Sequence, residues 1–252
     1  KRYDNGPGDT ALAKLAQLAT FPDLKSLSLH YFSKATDAGL EQLAGLKNLE
    51  SFSFRGHLAG HAFAKFEGWT QLKSIAFHGN GIDDQGLGYI CERFPNLESL
   101  NLIHARVLTD ASAVHLLKLK KLKNIILNGP KMTAAWHANL STLPVESLSV
   151  SQGNSLPAAK AIAGAKSIPT LRRFSMSGKT LTDADLAALA SITQLESLSL
   201  EGLELFEARF PQLPAFAHLK ALNLKDSGKG YPEEIQTKVK ALLPSVEVKF
   251  TP

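Results

Sequence analysis

Leu195-Glu196-Ser197-Leu198-Ser199-Leu200 carries the pattern that decides the fold. Leucine stands first, fourth and sixth, and small or charged residues stand between. The same hexad, with other apolar residues in some of its leucine places, recurs along the chain. It reads Leu24/Leu27/Leu29, Leu49/Phe52/Phe54, Leu72/Ile75/Phe77, Leu97/Leu100/Leu102, Leu122/Ile125/Leu127, Val145/Leu148/Val150, Leu171/Phe174/Met176, Leu195/Leu198/Leu200 and Leu219/Leu222/Leu224. Successive starts lie 25, 23, 25, 25, 23, 26, 24 and 24 residues apart, a regularity that marks a repeat architecture. A tenth copy is placed at Leu243/Val246/Val248. In a strand the side chains alternate faces, so the last two apolar residues of each hexad share one face. Between hexads the spacing turns helical, as in Thr36-Asp37-Ala38-Gly39-Leu40-Glu41-Gln42-Leu43 and Thr182-Asp183-Ala184-Asp185-Leu186, where Thr or Asp supplies an N-cap oxygen. Each unit is therefore expected to be a short strand and a helix, which bury their apolar faces only when stacked on neighbours.

These features resemble the leucine-rich-repeat family over roughly residues 10 to 250. The Thr-Asp-Ala-Gly-Leu phrase at 36 to 40, echoed at Leu108-Thr109-Asp110-Ala111 and Leu181-Thr182-Asp183-Ala184, resembles bacterial repeats related to the cysteine-containing class. The resemblance implies an α/β solenoid, a horseshoe with a parallel β-sheet on its concave face and helices on its convex face. In that family Asn or Cys usually follows three residues after the last hexad leucine and bonds the backbone of the turn. Here the position holds Phe32, His57, Asn80, Ala105, Pro130, Gly153, Lys179, Leu203 and Ser227, so only Asn80 conforms. Gly one place earlier, at Gly56, Gly79, Gly129, Gly178 and Gly202, is expected to make the turn through positive φ.

The array is read as a single domain over 1–252. Residues 1–23 form an N-terminal partial repeat or helix cap, 24–242 hold nine repeats, and 243–252 form a C-terminal cap strand. Asp9 to Leu18 has the helical half of a repeat without a preceding hexad, so the N-terminal edge is either capped by this helix or cut from a longer protein. Pro232-Glu233-Glu234 opens a helix with carboxylates at its positive end, and Lys238 and Lys240 sit late.

Composition agrees with a folded, non-fibrous chain: of 252 residues 44% are apolar and 20% charged, with one cysteine, Cys91, and a net charge of +5. A lone cysteine makes no internal disulfide. No apolar run approaches the roughly 20 residues that cross a bilayer, and Lys1-Arg2-Tyr3-Asp4 opens no signal-peptide h-region, so membrane insertion is not expected. Lys118-Leu119-Lys120-Lys121-Leu122-Lys123 is the one basic cluster; without aromatic platforms or a broader stripe it reads as a solvated helix end, and nucleic acid is not expected as a partner.

The residues between the hexad leucines face outward. The position after the first leucine reads Lys25, Glu50, Lys73, Glu98, Lys123, Glu146, Arg172, Glu196, Lys220, alternating in sign at every copy. Parallel strands lie about 4.8 Å apart, so this column is read as a ladder of opposite charges that fixes register, against the alternative of a charged ligand track. The next outward positions are mostly Ser and other small residues. Variety appears one step further on, at His30, Arg55, His78, Ile103, Asn128, Ser151, Ser177, Glu201 and Lys225. At its N-terminal end these residues meet Tyr31, His57, His104 and Arg106 on the adjoining loops. His30, Tyr31, Arg55, His57, His78, His104 and Arg106 are therefore the candidate binding residues, with a solvated rim as the competing reading.

Catalytic patterns are missing from the sequence. G-x-S-x-G, S-x-x-K and the phosphate-cradling glycine loops do not occur, and Gly79-Asn80-Gly81 reads as a turn. His57 and His61 have i, i+4 spacing, yet Gly56 and Gly60 and the lack of a nearby Cys or carboxylate argue against zinc. His115, His137 and His218 fall in helical halves, as does Cys91, which reads as a buried structural thiol. Trp69 and Trp136 replace leucines near the helices and read as wedges rather than ligand contacts. The expected function is a non-catalytic recognition module without cofactor or metal, monomeric, and directed at a protein. The alternatives are a targeting or regulatory domain of a larger, even enzymatic, polypeptide, and a polysaccharide or polar-ligand binder.

Overall fold

The computed structural model describes residues 6–79, 81–127, 134–151, 156–178, 180–226 and 230–251. Asn80, Asn128, Gly129, Pro130, Gly153, Lys179 and Ser227, named above at the turns, lie outside the described residues, as do Lys1 to Asp4. The chain divides into two compact units, one running to Pro144 and one from Val145.

In the first unit α1 (Asp9–Leu15) precedes β1 (Ser26–Phe32), β2 (Ser51–Gly56), β3 (Ser74–His78), β4 (Ser99–Ile103) and β5 (Asn124–Leu127), each strand parallel to the one before. The hexad sets the register, because Leu27, Phe52, Ile75, Leu100 and Ile125 align laterally, as do Ser26, Ser51, Ser74, Ser99 and Asn124. The apolar columns turn inward and the serine column outward. From β2 onward the fourth hexad residue is buried, at 1% exposure or less from Phe52 to Ile125. Removing a side chain of that size from water stabilises by about 1.5–3 kcal/mol. Phe52, Phe66 and Phe94 pack against Trp69, and Phe63 and Phe77 extend the cluster; the Trp69 ring stacks on Phe66 at 4.9 Å and its indole N–H donates to the Ala44 carbonyl at 2.9 Å. Trp136 is likewise buried and donates to the Thr109 carbonyl.

The second unit contains β6 (Ser147–Val150), β7 (Arg173–Met176), β8 (Ser197–Glu201), β9 (Ala221–Lys225) and β10 (Glu247–Thr251), again parallel in chain order. Leu148, Phe174, Leu198, Leu222 and Val248 form one inward column. Val150, Met176, Leu200, Leu224 and Phe250 form the other. The tenth copy is thus Ser245/Val248/Phe250, two residues later than the hexad spacing suggests. Leu243 and Val246 are buried ahead of the strand, where the turn leaving the last helix packs against the array.

The connecting segments depart from a uniform strand and helix. The helices α2 (Asp37–Leu40), α3 (Asp84–Arg93), α4 (Ala134–Leu140), α5 (Ala158–Lys166), α6 (Asp183–Ala190) and α7 (Glu233–Leu242) are α-helical. His61–Lys65, Asp110–Lys118 and Glu207–Phe216 form 3-10 helices, and Ala16–Thr20 and Glu41–Gly45 continue their α-helices in that form. A 3-10 helix climbs about 2.0 Å per residue against 1.5 Å, so each of these segments covers its length with fewer residues than an α-helix would. Pro211 and Pro214 interrupt the last one, and neither has the N–H that an α-helical ladder needs.

The charge column is a set of separate pairs rather than a continuous ladder. Lys73, Lys123 and Lys220 reach back to Glu50, Glu98 and Glu196 at 3.1, 3.3 and 2.9 Å. Lys73 thus sits on only one of its two flanking carboxylates, Glu50 rather than Glu98. Arg172 leaves the column and donates to the carbonyls of Pro169, Leu171 and Gln194, while Glu146 is met by Arg173 at 3.7 Å.

Among the described residues, an aspartate at the first position of a helix joins neighbouring repeats. Asp9 accepts from the Thr36 N–H and hydroxyl at 2.8 and 2.7 Å, and Thr36 in turn caps its own helix through the Gly39 N–H. Asp37 accepts from the N–H groups of Ala59 and Ala62, and Asp84 from the N–H and hydroxyl of Thr109. Asp183 accepts from Arg209, whose guanidinium also donates to the Leu181 and Glu204 carbonyls. At Asp9, Asp37 and Asp84 the carboxylate therefore satisfies otherwise unpaired backbone donors at the start of the next helical segment.

Candidate functional site

The outward ends of β1 to β4 build the site. Arg55 on β2 and His78 on β3 are register partners, and His78 is in turn paired with Ile103 on β4. One residue further along, Tyr31 and His104 adopt φ of 65° and 62°, the left-handed region that residues with a Cβ seldom occupy. Each closes a tight turn in which its carbonyl accepts from the N–H two residues on, Ser33 at 2.9 Å and Arg106 at 2.8 Å. The central residues of these turns, Phe32 and Ala105, are buried and anchor them.

Between the two stand Gly56 and Gly79. The sequence suggests positive φ at these glycines, and that holds at Gly178 and Gly202 in the second unit, at 62° and 79°. Gly56 and Gly79 are not in that region, and close approach is what requires glycine there. A Cβ on Gly79 would run into the Gly56 carbonyl, and one on Gly56 would come within 2.6 Å of the Phe32 carbonyl and 2.5 Å of the Phe54 ring. The two low glycines between two raised side chains leave a cavity of about 190 Å³, lined by Tyr31, Ser33, Arg55, Gly56, His57, His78, Gly79 and His104.

Of the seven candidate residues, Tyr31, Arg55, His57, His78 and His104 line this cavity. His30 stands beside it, with Nε2 2.8 Å from the Ser28 hydroxyl and its ring 6.3 Å from that of Tyr31. Arg106 lies on the turn beyond His104 and is not in the lining. Sequence reasoning missed Ser33, Gly56 and Gly79 as parts of the site. The signal was there in the two consecutive turn glycines flanked by bulky residues at the same repeat position.

Arg55 lies over the Tyr31 ring with its guanidinium carbon 5.0 Å from the centroid. Such stacking holds the guanidinium plane and leaves its edge donors available. Among the described residues no carboxylate is within ion-pair distance of Arg55, whereas Lys73, Lys123 and Lys220 of the charge column each have one. The His78 imidazole is held below its ordinary pKa by burial first, then by the positive charge of Arg55 and by His30 and His104. His61, by contrast, points away to Asp83 at 2.9 Å and packs edge-on against Tyr89. Among the described residues no group of three or more His, Cys, Asp or Glu side chains is placed to share a metal ion. Cys91 is buried and its thiol is pushed up to about 12 by desolvation.

The fold defined by these observations is the α/β leucine-rich-repeat solenoid. No family model matches the chain, and no curated protein matches it. Among solved structures, TLR13 in its complex with ssRNA13 is similar at a TM-score of 0.57 and 14% identity, over 92% of this chain and 37% of that one. A leucine-rich-repeat protein of Leptospira interrogans is similar at 0.48 and 16% identity, over 93% of this chain and 56% of that one. The Rad7 and Elc1 complex of yeast contains a chain similar at 0.39 and 15% identity, over 94% of this chain and 80% of that one. This chain thus spans little more than half of the Leptospira protein and about a third of TLR13.

Proposed function

We propose that this chain is a non-catalytic recognition module that binds a protein partner at the cavity between Tyr31 and His104. The observation that carries the reading is the concentration of side chains there. Elsewhere the outward strand positions are dominated by serine and by charges already paired. At this cavity an exposed tyrosine and an arginine without a carboxylate stand together on a rigid sheet edge. Tyrosine and arginine are the residue types enriched among interface hot spots, and positions held by packed strands lose little entropy on binding. The buried, high-pKa thiol of Cys91 supports a non-catalytic role, because the thiolate is the nucleophile.

The test is affinity capture from the source organism with three baits: the wild type, Tyr31→Ala/Arg55→Ala and Arg172→Ala/Arg173→Ala. The expected result is a partner lost from the first double variant, with a binding loss of at least about 2 kcal/mol and an unchanged melting curve. A partner retained by that bait and lost from the Arg172/Arg173 bait would place recognition in the second unit instead.

A further inference from the structure

Resting on that reading, we propose that the cavity is a carboxylate receptor in which Arg55 takes an acidic side chain of the partner's chain. Arg55 presents a planar fork of N–H donors that matches a carboxylate bidentately, and Tyr31 beneath it fixes the plane of that fork. Among the described residues it is the one permanently charged group in the lining, and the others there contribute imidazoles, hydroxyls and glycine backbone. One fixed positive charge matches one carboxylate, whereas a phosphate dianion calls for a cluster of arginines. A chain-terminal carboxylate would be captured by a nest of backbone N–H groups. The Gly79 amide on the floor already donates to the Ile103 carbonyl at 3.1 Å, which favours an internal Asp or Glu.

His78 makes the receptor sensitive to protons. It faces Arg55 on β2, His30 and Tyr31 on β1, His104 on the turn after β4 and His57 on the turn after β2, with no carboxylate among these described residues. Without a ligand the neighbouring positive charge opposes its protonation. A bound carboxylate reverses that field and turns the imidazolium into a second donor. Binding then takes up protons and strengthens as the pH falls.

The test is a titration of the wild type and Arg55→Gln with four probes at constant ionic strength. These are acetyl-Ala-Glu-Ala-amide, the matching Gln peptide, acetyl-Ala-Ala-Ala with a free C-terminus, and inorganic phosphate. Binding is read from the imidazole NMR signals of His78 and His104 at about pH 5.5 and pH 7.5, two values that bracket the ordinary histidine pKa. The expected result is saturable binding of the Glu peptide, at least tenfold weaker for the Gln peptide and for Arg55→Gln, and several-fold tighter at the lower pH. Equal binding of the Glu and Gln peptides, or full binding by Arg55→Gln with its amide spectrum intact, would overturn the proposal. Tighter binding of phosphate or of the free C-terminus would replace it by a site of that chemistry, and equal affinity at both pH values would remove His78 from it. A Tyr31→Ala variant separates this inference from the function it rests on. If Tyr31→Ala weakens capture of the protein partner while the Glu peptide does not bind, the carboxylate inference fails and the recognition reading stands. If neither Tyr31→Ala nor Arg55→Ala affects capture, the recognition reading itself fails.

Discussion

Tyr31 and His104 occupy the repeat position that glycine fills in several other copies, and both adopt the backbone conformation that glycine would tolerate more easily. Such conformations cost on the order of 1 kcal/mol or more each and persist where the surroundings impose them. At the same scale, His78 links the site to stability. Its native pKa lies below that of the unfolded chain, so below the ordinary value near 6.5 the unfolded state binds more protons. Stability is therefore present above that value and is lost as the pH falls through the native pKa. The melting temperature is expected to drop more between about pH 7 and pH 5 in the wild type than in His78→Gln; equal drops would contradict the assignment. In the core, Leu100→Ala and Leu148→Ala remove side chains at 0% and 1% exposure and should each cost about 2–5 kcal/mol in denaturant unfolding, whereas Ser99→Ala should be nearly silent. Glu98→Lys breaks the pair with Lys123 and sets three cations side by side with Lys73, so its modest destabilisation should shrink as salt is added. A salt-independent difference would sink that idea.

The elements were legible where side-chain alternation governs them. Every strand from β1 to β9 lies on its hexad, because two apolar residues at i and i+2 can be buried together only in an extended chain packed on one face. The tenth copy was misplaced by two residues because Leu243 and Val246 are buried too, and an apolar pattern alone does not separate a packed turn from a strand. The 3-10 segments were not legible either, since three apolar residues per turn and 3.6 per turn look alike over five residues. The Thr of the Thr-Asp phrase caps its helix as its spacing indicates, at Thr36, Thr109 and Thr182, while the Asp at the first helical position works in the next repeat, with a partner some 25 residues away that local spacing does not reveal. Asp84→Ala should therefore open the start of the Asp110–Lys118 segment by leaving the Thr109 N–H and hydroxyl without their acceptor, at a cost of about 1–3 kcal/mol. Hydrogen exchange at residues 109–112 checks this, with faster exchange there and little change in β3 expected. Unchanged exchange would assign the joining role elsewhere.

At the scale of the whole chain, the period near 24 residues was enough to specify the fold class, because a repeat that cannot bury its own face must stack. The candidate site was legible in part. The contrast between a monotonous serine column and a varied N-terminal end picked out five residues that line one cavity. The floor was not read, because glycine signals a turn in sequence whether it serves a positive φ, as at Gly202, or a close approach, as at Gly79. The departure of Arg172 from the charge column was hidden for a similar reason, since its neighbour Arg173 offers the same charge one residue away. The claim that recognition occurs at the ends of β1 to β4 is tested most directly by hydrogen exchange of the chain with and without its captured partner. The account predicts slowed exchange at residues 30–34, 55–57, 78–79 and 103–106, with residues 172–176 and 225 unaffected. Protection confined to the latter set, with exchange at the first four segments unchanged, would contradict it.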